Sequence, residues 1–384
     1  MRFLHTGDWH VGKPLRGRSR TEEYAAALDE VHRIAVEARV DAVLIAGDVF
    51  DSAAPPPEAE RLVYDFLARL IPDGIACVLI AGNHDHPKRL GALARLVEGL
   101  RIFVRSEARP AADGGVVTVP SLDGSEAAQV AVLPFVPERK VVDACLLLGP
   151  EYAWYEAYAR RLEQILTCLT SGFTPSTVNL VLAHILISGA RVGTGERPLH
   201  LGEVYGVNAE QLPAGVQYVA LGHLHRPQEV LAPSRTFYSG SLIELDFGER
   251  EQDKRVIVVE AAPGRAATVE SVPLHAGRRL REVEGTLAEL KVLAPSMGND
   301  YLRVLVKVEG PSPGIADRVR ELLPEAVDVV PVYDRAPEDL RVQTLRHLGP
   351  FELFAGFYRR RNGVEPTAEM MELFRRAYDE AAGP

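Results

Sequence analysis

The sequence predicts an α/β protein in which parallel βαβ units build one sheet and a second sheet closes against it. A small α+β domain and an apolar helical tail follow. Three observations carry this. First, five short apolar runs each stop at an Asp, Asn or His, usually beside a Gly: Arg2 to His5 before Asp8-Trp9-His10, Ala42 to Ala46 before Gly47-Asp48-Val49-Phe50-Asp51, Ile75 to Ile80 before Ala81-Gly82-Asn83-His84-Asp85, Val178 to Ala183 before His184, and Tyr218 to Leu221 before Gly222-His223-Leu224-His225. Buried strands of open α/β sheets have this appearance, and the loops at their ends carry the chemistry. Second, stretches with helical apolar spacing separate the first three runs. Third, 384 residues exceed one ordinary core, so a large domain with smaller units is expected.

In chain order, Val11 to Arg20 is a locally basic loop, either solvated or in contact with a phosphate backbone. Thr21 to Ala38 places Tyr24, Leu28, Val31 and Ala35 at helical spacing, with Thr21 as the N-cap and Glu22 and Glu23 in the first turn. Pro55-Pro56-Pro57 breaks the chain, and Glu58 to Leu70 resumes a helix, which completes a second βαβ unit. Leu90 to Gly99 is a short helix. Arg101 to Val104, Val116 to Val119 and Val130 to Leu133 are short strands between Gly-rich turns. Tyr152 to Thr170 is a long amphipathic helix, and Ser188 to Leu201 a Gly-rich polar loop behind His184. Phe237 to Ser241 and Arg255 to Glu260 add strands that close the second sheet.

Three units result. Residues 1–275 form the main domain, and residues 276–335 a cap with its own strands (Arg281 to Gly285, Leu302 to Val308, Val327 to Val332) and a helix from Ile315 to Leu323. Residues 336–384 are a linker and a helical tail. Phe351, Phe354, Phe357, Met370, Met371, Phe374 and Tyr378 crowd that tail, beside basic Arg359-Arg360-Arg361, and must be buried against this chain or another.

Composition narrows the class. Hydrophobic residues at 47% and charged residues at 25% describe a soluble globular protein, and a net charge of −10 disfavours a generally basic, nucleic-acid-coating surface. A local cleft filled with divalent cations is still compatible with it. Cys77, Cys145 and Cys168 are odd in number, widely spaced and in apolar or helical surroundings, as reduced core thiols are. No apolar run approaches the roughly 18 residues that span a bilayer. Met1 to His5 serves as a strand rather than a secretory leader, so a cytoplasmic location is expected.

The loops together offer Asp8, His10, Asp48, Asn83, His184, His223 and His225. Any one of them reads as an ordinary satisfied loop residue; five strands ending alike do not. One catalytic metal needs about three protein ligands plus water, so this set suits two metals sharing a carboxylate. Mixed imidazole and carboxylate ligation favours Mn, Fe, Zn or Co over Mg, without choosing among them. Paired ions suit in-line displacement at phosphorus. His84, one residue from a ligand, is then free to donate a proton or stabilise the transition state. Asp51 either holds that imidazole in its tautomer or caps a helix.

The pattern Asp8-x-His10, Gly47-Asp48, Gly82-Asn83-His84-Asp85, His184 and Gly222-His223-x-His225 resembles the calcineurin-like metallophosphoesterases. His5 to Gly12, Gly47 to Asp51, Tyr218 to Gln228 and Tyr238 to Ser241 are similar to the SbcD branch of that superfamily, nuclease subunits related to the double-strand-break repair nuclease. The resemblance covers most of residues 1–260. It implies a four-layer α/β/β/α sandwich of two mixed β-sheets flanked by helices. It implies one metal, expected to be manganese, on Asp8, His10, Asp48 and His225, and a second on Asp48, Asn83, His184 and His223, with His84 catalytic. Archaeal relatives carry a histidine where this chain has Asp51. The implied partners are DNA ends and hairpins, the SbcC coiled-coil ATPase gripped by the C-terminal helices, and a second copy in a homodimer. The implied activity is ATP-dependent double-strand exonuclease and hairpin endonuclease action in repair and recombination. The rivals are a phosphodiesterase acting on a small-molecule phosphoester, against which the cap and apolar tail argue, and a non-catalytic scaffold, against which the complete ligand set argues.

Overall fold

The computed structural model describes residues 1–97, 99–137, 151–193, 206–310, 312–333, 349–362 and 365–382. β1 (Arg2–Thr6), β2 (Ala42–Ile45), β3 (Ala76–Ile80) and β4 (Ile102–Arg105) run parallel. The helices Thr21–Glu37, Pro57–Leu70 and Pro87–Val97 connect them. β1 to β4 belong to a six-stranded sheet whose other edge is β11 (Arg255–Ala262) and β12 (Arg265–Pro273), in the order β12-β11-β1-β2-β3-β4. The second six-stranded sheet has the order β5-β6-β7-β8-β10-β9, from β5 (Val116–Pro120), β6 (Ala127–Leu133), β7 (Val178–His184), β8 (Tyr218–Gly222), β9 (Gln228–Val230) and β10 (Arg235–Tyr238).

Each sheet buries both faces, which is why β2, β3 and β8 read as unbroken apolar runs and β7 as one interrupted only by Asn179 before its terminal His184: every residue in them is buried. Alternate residues of a strand face opposite ways. Phe3, Leu44, Val78 and Ile80 therefore pack inward against Val130, Leu180, Leu182 and Ala220 of the second sheet. Leu4, Val43, Ile45 and Leu79 face outward onto Tyr24, Leu28, Val63 and Phe66 of two helices. On the far side, Leu162, Leu166 and Leu169 of the helix Glu151–Thr170 cover Leu133, Val181 and Leu221. The result is the four-layer sandwich with two mixed sheets.

Two local expectations are corrected. Thr21 is the first helical residue rather than the cap, and Arg20 occupies the N-cap position without a side-chain capping bond. Arg20 is buried and spends its guanidinium on both Glu23 oxygens, at 3.0 and 2.7 Å. The strand from Arg255 joins the first sheet, antiparallel to β1 with Phe3 opposite Val259, because β1 would otherwise present an open edge.

Beyond the sandwich, β13 (Leu280–Gly285), β14 (Tyr301–Val308) and β15 (Ala326–Tyr333) form a three-stranded parallel sheet. It has its own core of Leu290, Leu302, Val304, Val306 and Val319. A helix over Leu287–Leu293, absent from the sequence-based expectation, starts at a complete capping box, and Thr286-x-x-Glu289 is its sequence signature. The basic loop meets this unit: Arg18 binds Glu325 at 2.8 Å, Arg16 lies 3.4 Å from Asp328, and Leu15 packs with Phe247, Leu280 and Tyr301. Those arginines thus serve the joint between the two units.

The tail forms the helices Pro350–Asn362 and Ala368–Ala382, joined by Phe354 stacked on Phe374 at 4.1 Å. Phe357 and Leu373 stay 51% and 63% exposed, so the pair does not satisfy its own apolar surface. Among the described residues no helix is long and apolar enough to cross a membrane. Of the cysteines expected in the core, Cys77 is buried, whereas Cys168 is exposed on its helix, where the apolar face is taken by Leu162, Leu166 and Leu169. Cys145, most of the expected linker and the distal part of the loop from Ser188 lie outside the described residues.

Buried histidine outside the loops also shapes stability. His5 on β1 accepts from the Tyr218 hydroxyl at 2.9 Å and donates to the Leu221 carbonyl at 3.1 Å, and burial lowers its pKa to about 3. The unfolded chain, with His5 near its ordinary value of about 6.5, takes up the proton first as pH falls. The stability His5 contributes is therefore present above about pH 6.5 and is lost between there and about 3. In EDTA, the urea midpoint of the wild type is expected to fall with acid more steeply than that of His5→Gln, by one proton in the slope. Equal slopes would contradict it.

Candidate metal centre

Five strand ends from both sheets meet at one edge of the sandwich. β1 and β2 are parallel neighbours, so the loops following them run side by side: Asp8 N–H donates to Gly47 C=O and His10 N–H to Asp48 C=O, both at 2.9 Å. Glycine makes this crowding possible. A Cβ on Gly82 would lie 2.1 Å from Asp48 Oδ1, one on Gly47 2.5 Å from His184 Nδ1, and one on Gly222 2.0 Å from Ala46 O. Backbone strain gathers at the same place. Among the described residues, four of the eight non-glycine residues with positive φ are Asp8, His10, Asp48 and His223. Such conformations persist where surrounding structure enforces them, and they concentrate at functional sites.

All seven expected donors come together. Asp48 Oδ2 lies 3.6 Å from His10 Nε2 and 3.6 Å from His184 Nε2. Asn83 Oδ1 is 2.9 Å from His184 Nε2 and 3.1 Å from His223 Nδ1. Asp8 Oδ1 is 4.0 Å from His184 Nδ1, and its carboxylate accepts the His223 N–H. The His225 ring stands 4.8 Å from that of His10. Two groupings, His10/Asp48/His84 and Asp8/Asp48/His184, bring ligand atoms within 4.8 Å of one another, and Asp48 belongs to both.

The donor chemistry fits divalent cations. Both ring nitrogens of His10 are buried without a well-aligned hydrogen-bond partner, which a native core rarely leaves so. Burial lowers the pKa of His10 to about 4 and that of His184 as well, so both are neutral donors at pH 7. Burial alone would raise Asp48, but His184, His10 and His84 hold it down to about 2, an ionised carboxylate between imidazoles.

His84 is half-buried at the rim, its ring 4.6 Å from that of His10. Its main-chain N–H donates to Asp48 Oδ1 at 2.8 Å. Its Nδ1–H donates to the main-chain carbonyl of Asp51 at 2.7 Å. The carboxylate expected to hold this imidazole is engaged elsewhere, bound to Lys13 Nζ at 3.2 Å and 3.4 Å from His10 Nδ1.

Three supporting residues are absent from the site expected on sequence. Asp85 accepts from the N–H groups of Val49, Phe50 and Gly82 at 3.2, 3.0 and 2.9 Å, tying the Asp48 loop to the Asn83 loop. Glu249 accepts from His225 Nδ1 at 2.7 Å, and Lys254 pairs with Glu249 at 2.6 Å. Asp85 closes the Gly82-Asn83-His84-Asp85 motif, which is a signal for it. Glu249 and Lys254 have no spacing signal.

A family model described as calcineurin-like phosphoesterase matches residues 1–227, and one described as the type 5 capsule protein repressor C-terminal domain matches residues 276–362. The SbcD subunit of the SbcCD nuclease from Bacillus subtilis (strain 168) is 34% identical over 97% of this chain and 97% of its own. The chain belongs to the SbcD family of calcineurin-like phosphoesterases. SbcD relatives also include those of Rhodobacter capsulatus, 33% identical over 77% of this chain and 75% of its own, and of Escherichia coli K12, 29% identical over 76% and 72%. Membership of this phosphoesterase family implies divalent metal binding, which the SbcD donor cluster described above fits.

Proposed function

We propose that this chain is a two-metal DNA nuclease, acting with a coiled-coil ATPase subunit as SbcD chains do in the SbcCD complex. The observation that carries the reading is Asp48 Oδ2 at 3.6 Å from both His10 Nε2 and His184 Nε2, one carboxylate oxygen between two imidazoles in a site that supplies further donors. Asp8, His10, Asp48 and His225 would hold one ion; Asp48, Asn83, His184 and His223 the other. Bound there, the pair supplies an activated water and neutralises charge developing on the phosphoryl oxygens. Mixed nitrogen and oxygen ligation favours manganese over magnesium.

The chain's own residues do the rest. The Asp51 carbonyl can only accept, so His84 carries hydrogen on Nδ1; with a second hydrogen on Nε2, as imidazolium, it passes that proton from Nε2 to the leaving oxygen and is left neutral. The Asp51 carboxylate, kept ionised at about 2 by His10 and Lys13 against the pull of burial, steadies both neighbours rather than meeting substrate. The division into a nuclease domain (1–275), a cap (276–335) and a partner-binding tail (336–384) belongs to the same reading. It is supported by the separate core around Leu302, Val304 and Val306 and by the exposed Phe357 and Leu373. A homodimer and a cytoplasmic setting are part of the same proposal.

Purified chain with manganese is expected to cut end-labelled linear duplex and hairpin DNA, to gain from the ATPase partner with ATP, and to stop in EDTA. Turnover of a small phosphodiester with no DNA cleavage, even with the partner present, would favour the small-molecule phosphoesterase instead.

A further inference from the structure

Glu249 and Lys254 form a charged pair in the protein interior, 1% and 4% exposed, beside a proposed ligand and away from any reacting atom. Burying two charges costs more than burying an apolar pair of the same volume unless every polar atom is satisfied. Here each is. Glu249 Oε2 receives Lys254 Nζ at 2.6 Å, Leu245 N–H at 3.1 Å and the Ser241 hydroxyl at 3.1 Å. Lys254 Nζ shares its three hydrogens among Glu249 and three further acceptors, Ser241 Oγ at 2.8 Å, the His225 carbonyl at 3.2 Å and Gln252 Oε1 at 3.1 Å. The other oxygen, Oε1, is turned to His225 Nδ1 at 2.7 Å.

The two oxygens of Glu249 are thus divided between anchor and target. A carboxylate held against an ammonium group is an acceptor only, so His225 must carry its hydrogen on Nδ1. That leaves the lone pair on Nε2. Lys254 reaches the same histidine through its main-chain carbonyl, so the pair grips both ends of one residue. Another proposed ligand, His184, rests its Nδ1 on the neutral Ala46 carbonyl at 2.8 Å. A neutral carbonyl fixes the tautomer; an anionic acceptor also raises the electron density of the imidazole more strongly.

Resting on the two-metal reading, we propose that Glu249, locked by Lys254, is a positioning residue that presents His225 Nε2 to one of the two ions, so that its loss weakens that ion's site selectively. Glu249 touches neither substrate nor metal; it acts through His225.

The test is manganese binding to the full chain, followed by isothermal titration and by the EPR signal of free manganese, with thermal unfolding in EDTA recorded beside it. Wild type is expected to bind two ions. Glu249→Gln is expected to weaken one of them by about 10- to 100-fold, the scale for lost ligand support, and to leave the other unchanged. Turnover of a small phosphodiester should then need correspondingly more manganese and recover at saturation, a rise in the metal requirement that a merely destabilised fold does not produce. Should Glu249→Gln not fold, Glu249→Asp carries the same criterion: it keeps a charge for Lys254 but is too short to serve both partners. A variant with a lower unfolding temperature in EDTA and both manganese affinities intact overturns the proposal and leaves the two-metal reading standing. Wild type that binds fewer than two ions overturns that reading, and the proposal with it.

Discussion

Asp48→Ala is expected to abolish manganese binding as a pair and, with it, all phosphodiester cleavage. Each of the other proposed ligands serves one ion, whereas the Asp48 carboxylate faces His10 on one side and His184 on the other at the same 3.6 Å. Losing only the support of a ligand weakens a metal by about 10- to 100-fold, so loss of the shared ligand itself should exceed ~100-fold at both positions. Thermal unfolding with and without manganese reads this directly. A bound ion stabilises the native state by about 2.7 kcal/mol at a hundred times its Kd, so the wild-type transition should rise on adding manganese and that of the variant should not. In EDTA the two are expected to differ little. The variant leaves the His84 N–H without its 2.8 Å acceptor, but it also relieves the neighbouring Asp85, whose pKa burial and the Asp48 charge together push up to about 7. Two manganese ions bound normally by Asp48→Ala would rule out a shared carboxylate.

The reason Asp48 can be singled out from sequence is the physics of its strand. β2 and β3 are buried on both faces, so they contain no polar residue until the chain leaves the sheet, and the first polar groups at Asp48 and Asn83 stand out. The same contrast marks His184 and His223 at the ends of β7 and β8. What stays hidden lacks such a contrast. Glu249 lies in a polar stretch after β10, and only folding brings it to His225, 24 residues earlier in the chain. The acceptor for His84 is a main-chain carbonyl, which has no side-chain signature at all, and so the eye falls on the Asp51 carboxylate instead. The sheet to which β11 belongs depends on its pairing with β1 across the length of the domain, a long-range choice that local apolar pattern does not encode. Arg20 is similarly illegible: a basic residue in a basic loop reads as solvated, yet Glu23 and the cap joint take it into the interior.

His84→Ala should separate chemistry from metal binding. His84 contributes its main-chain N–H to Asp48, which alanine retains, and its ring to the rim of the site, which alanine removes. Both manganese ions are therefore expected to bind the variant with unchanged affinity. The rate constant for DNA cleavage should fall by about 10²- to 10⁴-fold, the usual contribution of a placed proton donor, with little change in KM because the ring is not needed to hold the phosphate in the ground state. His84→Gln, which can reach the Asp51 carbonyl but cannot give up a proton at neutral pH, should be nearly as slow as alanine. The leaving group supplies the decisive contrast. With an aryl phosphodiester, whose departing oxygen needs no proton, the deficit of both variants should shrink well below that seen on DNA. An equal deficit on both substrates would mean that His84 stabilises charge at phosphorus rather than protonating the leaving oxygen, and a loss of manganese in His84→Ala would instead make it a ligand, as its place beside His10 and Asp48 allows.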